Sequence, residues 1–357
     1  DGPMNAEYAN PTPSRGRWTW FAAAAAVLLL AATAGADPFV PDDPLYAAGH
    51  QWYADTLNLP EAWAWSTGST DVTVAILDTG IIADTPDLAG RVLDPVTATG
   101  TLLDGTENHH GTWVASSMGM GVDNGIGGAG VGNVRLLPVI VSNVNGSNAS
   151  EDVADGIRMA ADAGARVISI SHKTLKYGLL DTAAAYARGL GALTFVAAGN
   201  DNERNTLTGD YENLIFVAGT DADDARWVKD TWTGSSWGPY VDLSAPASQI
   251  LVADPIDLPG GYGLADGTSY AAPLAAGAAA LAWSIDPDLT PDEVWDLLRT
   301  TAVDLGDPGR DEFYGHGRVD VGAMALALTP EPATLGLLSV GLAAVLVRRR
   351  RRRPPVA

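Results

Sequence analysis

Three short stretches hold the residue types that nucleophilic catalysis needs. Asp78-Thr79-Gly80 closes an apolar run, His110-Gly111-Thr112 lies within the stretch NHHGTWVAS, and Gly267-Thr268-Ser269-Tyr270 opens a long segment of small residues. Singly, each has an ordinary explanation: a turn, a loop histidine, a helix start. Together they supply an acid, a base and a nucleophile. A serine hydroxyl is a poor nucleophile at neutral pH, so an imidazole must take its proton as attack occurs. The imidazole in turn needs a buried carboxylate to fix its tautomer and stabilise its cation. Ser269 at a helix N-terminus sets backbone N–H groups beside a developing oxyanion. Asn200, which follows Phe195-Val-Ala-Ala-Gly199, is either a turn former or a side-chain amide donor to that same oxyanion.

The elements that must position these groups follow from periodicity. Apolar, β-branched runs at 72–77, 134–141, 167–171, 192–198 and 214–218 read as buried strands. Residues 151–163 and 179–190 carry apolar positions at helical spacing and stop at Gly164 and Gly191. Residues 270–284 are apolar on every side, the pattern of a buried helix, and 291–301 form an amphipathic one. Strands alternating with helices predict an α/β fold: a doubly wound, mostly parallel sheet with helices on both faces. Such sheets gather their sites at the carboxyl ends of strands. The Gly/Asn/Asp/Ser clusters at 121–133, 142–150 and 199–210 read as loops.

Composition narrows the function. The 357 residues contain no Cys, which excludes disulfide scaffolds, Cys-ligated metal and thiol catalysis. Between residues 37 and 330 there are 13 Lys and Arg against 40 Asp and Glu, so the body carries −27. That surface repels nucleic acid and anionic lipid, and no nucleic-acid partner is expected. The two ends read as addresses. Arg15 and Arg17, the apolar run 22–32 and Ala34-Gly35-Ala36 form a secretory signal peptide over residues 1–36, with an N-terminal membrane anchor as the alternative. At the other end Pro330-Glu331-Pro332 precedes the apolar stretch 333–347 and the run Arg348–Arg353. Fifteen residues span only ~22 Å as a helix, short of a ~30 Å hydrocarbon core. This tail, 330–357, resembles the PEP-CTERM sorting signal. The resemblance implies an exosortase-type processing enzyme as partner, transient inner-membrane association through a transmembrane helix, and delivery to the envelope or exterior. An ordinary C-terminal anchor is the alternative.

The body, 37–329, resembles the subtilisin family of serine peptidases. The segment Asp43-Pro-Leu-Tyr, the three triad stretches, Ala-Ala-Gly-Asn200, Ser235-Ser-Trp-Gly238 and Ala245-Pro246 carry the likeness. It implies Asp78 as orienting acid, His110 as general base, Ser269 as nucleophile and Asn200 as oxyanion donor. It further implies substrate contacts at Ser171, His172, Gly146 and Ala198, and polypeptides as substrates of a monomeric, exported endopeptidase. The stretch Val122-Asp-Asn124-Gly-Ile126-Gly-Gly128 resembles the family's calcium loop. Carried over, that gives structural Ca²⁺ held by Asp43, Asp87 and Asn124 side chains and the carbonyls of Val122, Ile126 and Gly128; an ordinary Gly/Asn loop is the alternative. Of the other histidines, His109 reads as a loop residue, and His50 and His316 as structural. Two departures stand out. Ser171-His172-Lys173-Thr174 replaces the family's small or apolar segment, and Trp113 replaces a smaller residue or His, with a place behind the catalytic helix expected for it. The altered 171–174 segment motivates a competing reading, a surface-displayed binding protein on this scaffold. No inhibitory propeptide is visible between Ala36 and Leu57, so folding without an intramolecular chaperone is expected.

Overall fold

A computed structural model describes residues 37–173, 176–207, 211–256 and 258–329. The expected signal peptide 1–36, the expected sorting tail with its transmembrane helix, and Thr174 lie outside them. Three short helices, α1 (Pro44–Ala47), α2 (Trp52–Thr56) and α3 (Leu59–Trp63), lead into strand β1 (Thr73–Asp78). There follow β2 (Val96–Thr97), α4 (His110–Gly119), β3 (Arg135–Ile140), α5 (Ser150–Asp162), β4 (Val167–Ile170), α6 (Tyr177–Gly189), β5 (Leu193–Ala197) and β6 (Leu214–Thr220). The chain continues through β7 (Leu243–Pro246), a hairpin of β8 (Ile250–Ala253) and β9 (Tyr262–Ala265), then α7 (Thr268–Ile285), α8 (Pro291–Thr301) and α9 (Val321–Leu328).

Seven strands form one sheet in the order β2-β3-β1-β4-β5-β6-β7, every pair parallel. The expected α/β class and parallel sheet are present. β1 lies between β3 and β4, so the crossovers leave its carboxyl end in opposite directions and open a crevice there. Register fixes what surrounds that crevice: Asp78 pairs with Ile140 and Leu77 with Ile170, so the residues just past β3 and β4 flank Asp78.

Each face of the sheet is covered for a reason visible in the chain. α5 turns Val153, Ile157, Ala160 and Ala161 onto one face, joined by Leu180, Ala183, Ala184 and Ala187 of α6. The other face carries α4 and α7, and every residue of α7 from Thr268 to Trp283 is buried, which is why it lacks a polar side. α8 is held by a capping box: Thr290 Oγ1 accepts from Glu293 N at 3.3 Å, and Thr290 N donates to Glu293 Oε2 at 2.8 Å. That arrangement contributes about 1 kcal/mol. Among the described residues no helix is long and apolar enough to cross a membrane.

Candidate active site

β1 ends on Asp78, which is fully buried. The turn after it admits α4 only because two glycines lack a side chain. A Cβ on Gly111 would sit 2.2 Å from the Gly80 carbonyl, and one on Gly80 would lie 2.7 Å from the Leu103 carbonyl. Thr79 stitches the contact: its Oγ1 accepts from Gly111 N at 3.1 Å and donates to the Asn108 carbonyl at 2.8 Å. Asn108 Oδ1 accepts from His110 N at 3.1 Å and starts the helix. The imidazole of His110 is thereby delivered to the acid. Its Nδ1 lies 2.9 Å from Asp78 Oδ1 and 3.0 Å from Oδ2. A carboxylate only accepts, so Nδ1 carries the proton and Nε2 keeps its lone pair for the cleft. The side chain of His110 is 29% exposed, open enough to meet a substrate.

Burial would push the Asp78 carboxyl up, but the imidazoles of His110 and His172 hold it well below the usual carboxylate range. Burial likewise pulls His110 down, and the charge and hydrogen bond of Asp78 outweigh it, so the imidazole sits above its ordinary 6.5.

Ser269 is the second residue of α7, so its N–H has no acceptor within the helix. The helix begins two residues earlier than the pattern 270–284 suggests, because Gly267, at a φ of 142° that side chains disfavour, releases the chain into it directly. Pro273 lies inside this helix and cannot donate to the Ser269 carbonyl four residues back. That orphaned carbonyl is satisfied from outside: Ser171 Oγ donates to it at 2.7 Å. In return Ser269 Oγ donates to the Ser171 carbonyl at 3.4 Å. Tyr270, the next residue, lies beside the His110 ring at 6.5 Å between centroids, which puts the start of α7 next to the imidazole.

Asn200 is oriented by Thr268. Its Oδ1 accepts from Thr268 N at 2.9 Å and Thr268 Oγ1 at 2.8 Å, which leaves the Nδ2 donor for the cleft. Thr268 Oγ1 also accepts from Gly199 N at 3.2 Å. Thr268 is thus a functional residue that sequence reasoning missed, although its place in Gly267-Thr268-Ser269 was the available signal.

The remaining residues fall as follows. His172 is buried, with Nε2 3.4 Å from Asp78 Oδ2 and 2.9 Å from Ser142 Oγ. Asp78, His110 and His172 offer ligand-type atoms all within 4.8 Å of one another. Ala198 is buried, its N–H donating to the Val217 carbonyl and its own carbonyl accepting from Tyr240 OH at 2.8 Å. Gly146 sits in the turn 143–147 beside a cavity of about 530 Å³ lined in part by Leu103, Val144, Asn148 and Asp152. Lys173 pairs with Asp201 at 2.6 Å on the surface. His109 is no free loop residue: its Nδ1 lies 2.7 Å from the buried Asp254 Oδ2, which also accepts from Trp113 Nε1 at 2.8 Å. These contacts tie the first turn of α4 to the β8–β9 hairpin.

A second cluster gathers the expected calcium residues. Asp43 and Asp87 are buried, at 0% and 1% exposure. Asp43 accepts from the backbone N–H of Asp123, Asn124 and Gly125. Asp87 accepts from Gly121 N, Gly128 N, Asn124 Nδ2 and Tyr262 OH. Asn124 Oδ1 accepts from Ile126 N at 2.8 Å, and the Val122 carbonyl accepts from Asn133 Nδ2 at 3.1 Å. Burial pushes both carboxyls up, against the lowering effect of their hydrogen bonds. Both carboxylates accept only from neutral donors, and the cation beside them, Arg91, bonds to the Asp87 backbone carbonyl at 2.6 Å and not to its carboxylate. Two desolvated acids in an all-oxygen loop fit a hard divalent cation.

A profile of the subtilase family matches residues 69–317. The chain belongs to the subtilase family. Among relatives of this subtilase, thermitase of Thermoactinomyces vulgaris is 36% identical over 249 residues, covering 68% of this chain and 85% of thermitase. The halolysin-like extracellular serine protease Nep of Natrialba magadii is 34% identical over 304 residues, covering 82% of this chain and 53% of Nep. The chain therefore spans about half the length of the halolysin-type relatives. A relative from Trichormus variabilis, 31% identical over 79% of this chain and 50% of its own length, is named a calcium-dependent protease. In structure, a protease of Pseudoalteromonas arctica superposes with a TM-score of 0.69 at 28% identity, covering 81% of this chain and 99% of that one. A profile of the PEP-CTERM protein-sorting motif matches residues 328–352.

Proposed function

We propose that this subtilase is an exported serine endopeptidase that cleaves polypeptides through an acyl-enzyme. The observation that carries the reading is the Asp78–His110 pair, 2.9 Å apart, with the carboxylate buried and the imidazole open to the cleft beside the start of α7. His110 Nε2 takes the Ser269 proton as Oγ attacks the peptide carbonyl carbon, and Asp78 stabilises the resulting imidazolium. For this, Ser269 Oγ leaves its long bond to the Ser171 carbonyl and turns to the imidazole. The Ser269 N–H and Asn200 Nδ2 receive the oxyanion. His110 then protonates the leaving amine, and water, activated by the same imidazole, releases the acyl group.

The acidic loop is a calcium site in this reading. Asp43, Asp87 and Asn124 would hold the ion by side chain, and Val122, Ile126 and Gly128 by carbonyl. Bound calcium would supply positive charge directly at the two buried carboxylates. The segments 1–36, 37–329 and 330–357 act as signal peptide, peptidase domain and sorting signal. An exosortase-type enzyme removes the tail after brief inner-membrane association, and the monomeric peptidase reaches the envelope or exterior.

The direction of Ser269 Oγ toward Ser171 favours one competing reading, a binding protein on a subtilase scaffold. Labelling of the full chain with a serine-reactive fluorophosphonate separates the two. Labelling together with casein hydrolysis, both lost in Ser269→Ala, is expected; an intact chain that neither labels nor hydrolyses a peptide library defeats the peptidase reading.

A further inference from the structure

Asp78 does not face one imidazole but two. Its Oδ1 accepts from Thr79 N at 2.8 Å and shares the His110 Nδ1 proton at 2.9 Å. Its Oδ2 has only the other half of that His110 bond, at 3.0 Å, and His172 Nε2 at 3.4 Å. A buried carboxylate oxygen left with half a hydrogen bond is costly, so His172 answers a real deficit. A lone pair on Nε2 would repel the carboxylate, which fixes the proton on Nε2. With the proton there, Ser142 Oγ accepts it at 2.9 Å and Asp78 Oδ2 takes the longer branch at 3.4 Å, so the shorter branch holds the ring against the acid. The fold dictates this meeting: Ser142 lies just past β3 and His172 just past β4, the two neighbours of β1.

We propose that His172, steered by Ser142, is a positioning residue that acts as the second donor to Asp78 Oδ2 and divides the charge of the acid between two imidazoles. This deepens the peptidase reading and rests on it. Two consequences follow. The carboxylate is held in the rotamer that serves His110, which favours proton transfer. A carboxylate that is shared attracts the His110 proton less strongly, so the base stays free at lower pH than an Asp–His pair alone would allow. The rings lie 5.6 Å apart, close enough for a positive charge on His110 to be felt at its neighbour. Among the described residues, the Tyr270 ring of α7 lies beside His110, its hydroxyl pushed above its ordinary range by burial; Lys173, next in the chain, is engaged by Asp201.

The test compares the full-length wild type with H172L, H172Q and S142A on a chromogenic peptide, with kcat and KM measured across pH. H172L keeps bulk and loses the donor. Its kcat should fall about tenfold with KM within twofold, and its acid limb should move up by about half a pH unit. H172Q, which retains an N–H donor, should recover part of both effects, and S142A should show a smaller shift in the same direction. Ring titration of His110 followed by NMR in the Ser269→Ala background gives the same shift without requiring turnover, and H172Q serves there if H172L does not fold. An unchanged acid limb and an unchanged His110 titration overturn the proposal. So does a raised KM with kcat intact, which makes His172 a substrate contact instead. Fluorophosphonate labelling of the wild type reports the peptidase reading separately: a labelled wild type with an unshifted H172L removes the proposal alone, while an unlabelled wild type removes both.

Discussion

Asp78 and Asp87 are both lost to solvent, yet their ionisation is driven in opposite directions. The difference is not depth. Asp78 faces two imidazoles that can carry positive charge. Asp87, with Asp43 near it across the loop 121–128, receives only N–H groups, an amide and a phenol. Neutral donors offset part of the desolvation of a carboxylate; a cation offsets most of it. One site therefore contains its own counter-charge and can use it for proton transfer. The other has a cation nearby, Arg91, on the Asp87 backbone carbonyl, and leaves both carboxylates with neutral donors alone.

The largest effect that would sharpen this contrast is at Asp78. Asp78→Asn should lower kcat by about 10⁴-fold while the fold survives, a magnitude carried over from related triads. The corresponding Asp87→Asn should leave kcat at low temperature within about twofold and remove the response to calcium. A D87N variant whose melting temperature still follows calcium breaks the comparison.

Next in size is the ion itself. At about 100 times the dissociation constant a bound ion adds roughly 2.7 kcal/mol of stability, on the order of 5–10 °C in a domain of this size. Chelator should lower the melting temperature of the wild type by that much and added Ca²⁺ should restore it. The absence of any shift in either direction removes the calcium assignment.

The pH dependences should run oppositely. Asp78 raises His110 above 6.5, so kcat/KM should fall as pH drops through a midpoint above that value. A midpoint below 6.5 contradicts the pairing. Asp43 and Asp87 have folded-state values above the unfolded 3.8. In chelator, their contribution to stability is then fully present below 3.8 and lost as pH rises through the raised values. With calcium the ionised pair is required, so the stabilisation by the ion should grow with rising pH over that window. Thermal melts at several pH values, with and without calcium, read both signs. The smallest effect belongs to the exposed Lys173–Asp201 pair: Lys173→Ala should change stability by less than about 1 kcal/mol, measured by denaturant unfolding.

Much of this was legible in the chain. The runs that became β1, β3, β4, β5 and β6 are apolar because both faces of a parallel sheet are covered. The opening of α7 was visible because Gly267-Thr268-Ser269 precedes a segment without polar residues. Other features were hidden for physical reasons. The β8–β9 hairpin escaped because each strand is only four residues long and β9 is only partly covered. α4 has no clear stop signal, and the Asn108 side chain that caps its start acts together with a distant close approach at Gly80 that no local pattern announces. His172 and Asp254 could not be placed from sequence, because their partners stand 94 and 145 residues away, at Asp78 and His109. Composition describes such residues as polar and nothing more; only strand order says whom they meet.

The missing N–H of Pro273 has a mechanical corollary. By leaving the Ser269 carbonyl to Ser171, it rivets the first turn of α7 to the end of β4. A substitution that moves that strand end therefore pulls on the backbone of the serine as well.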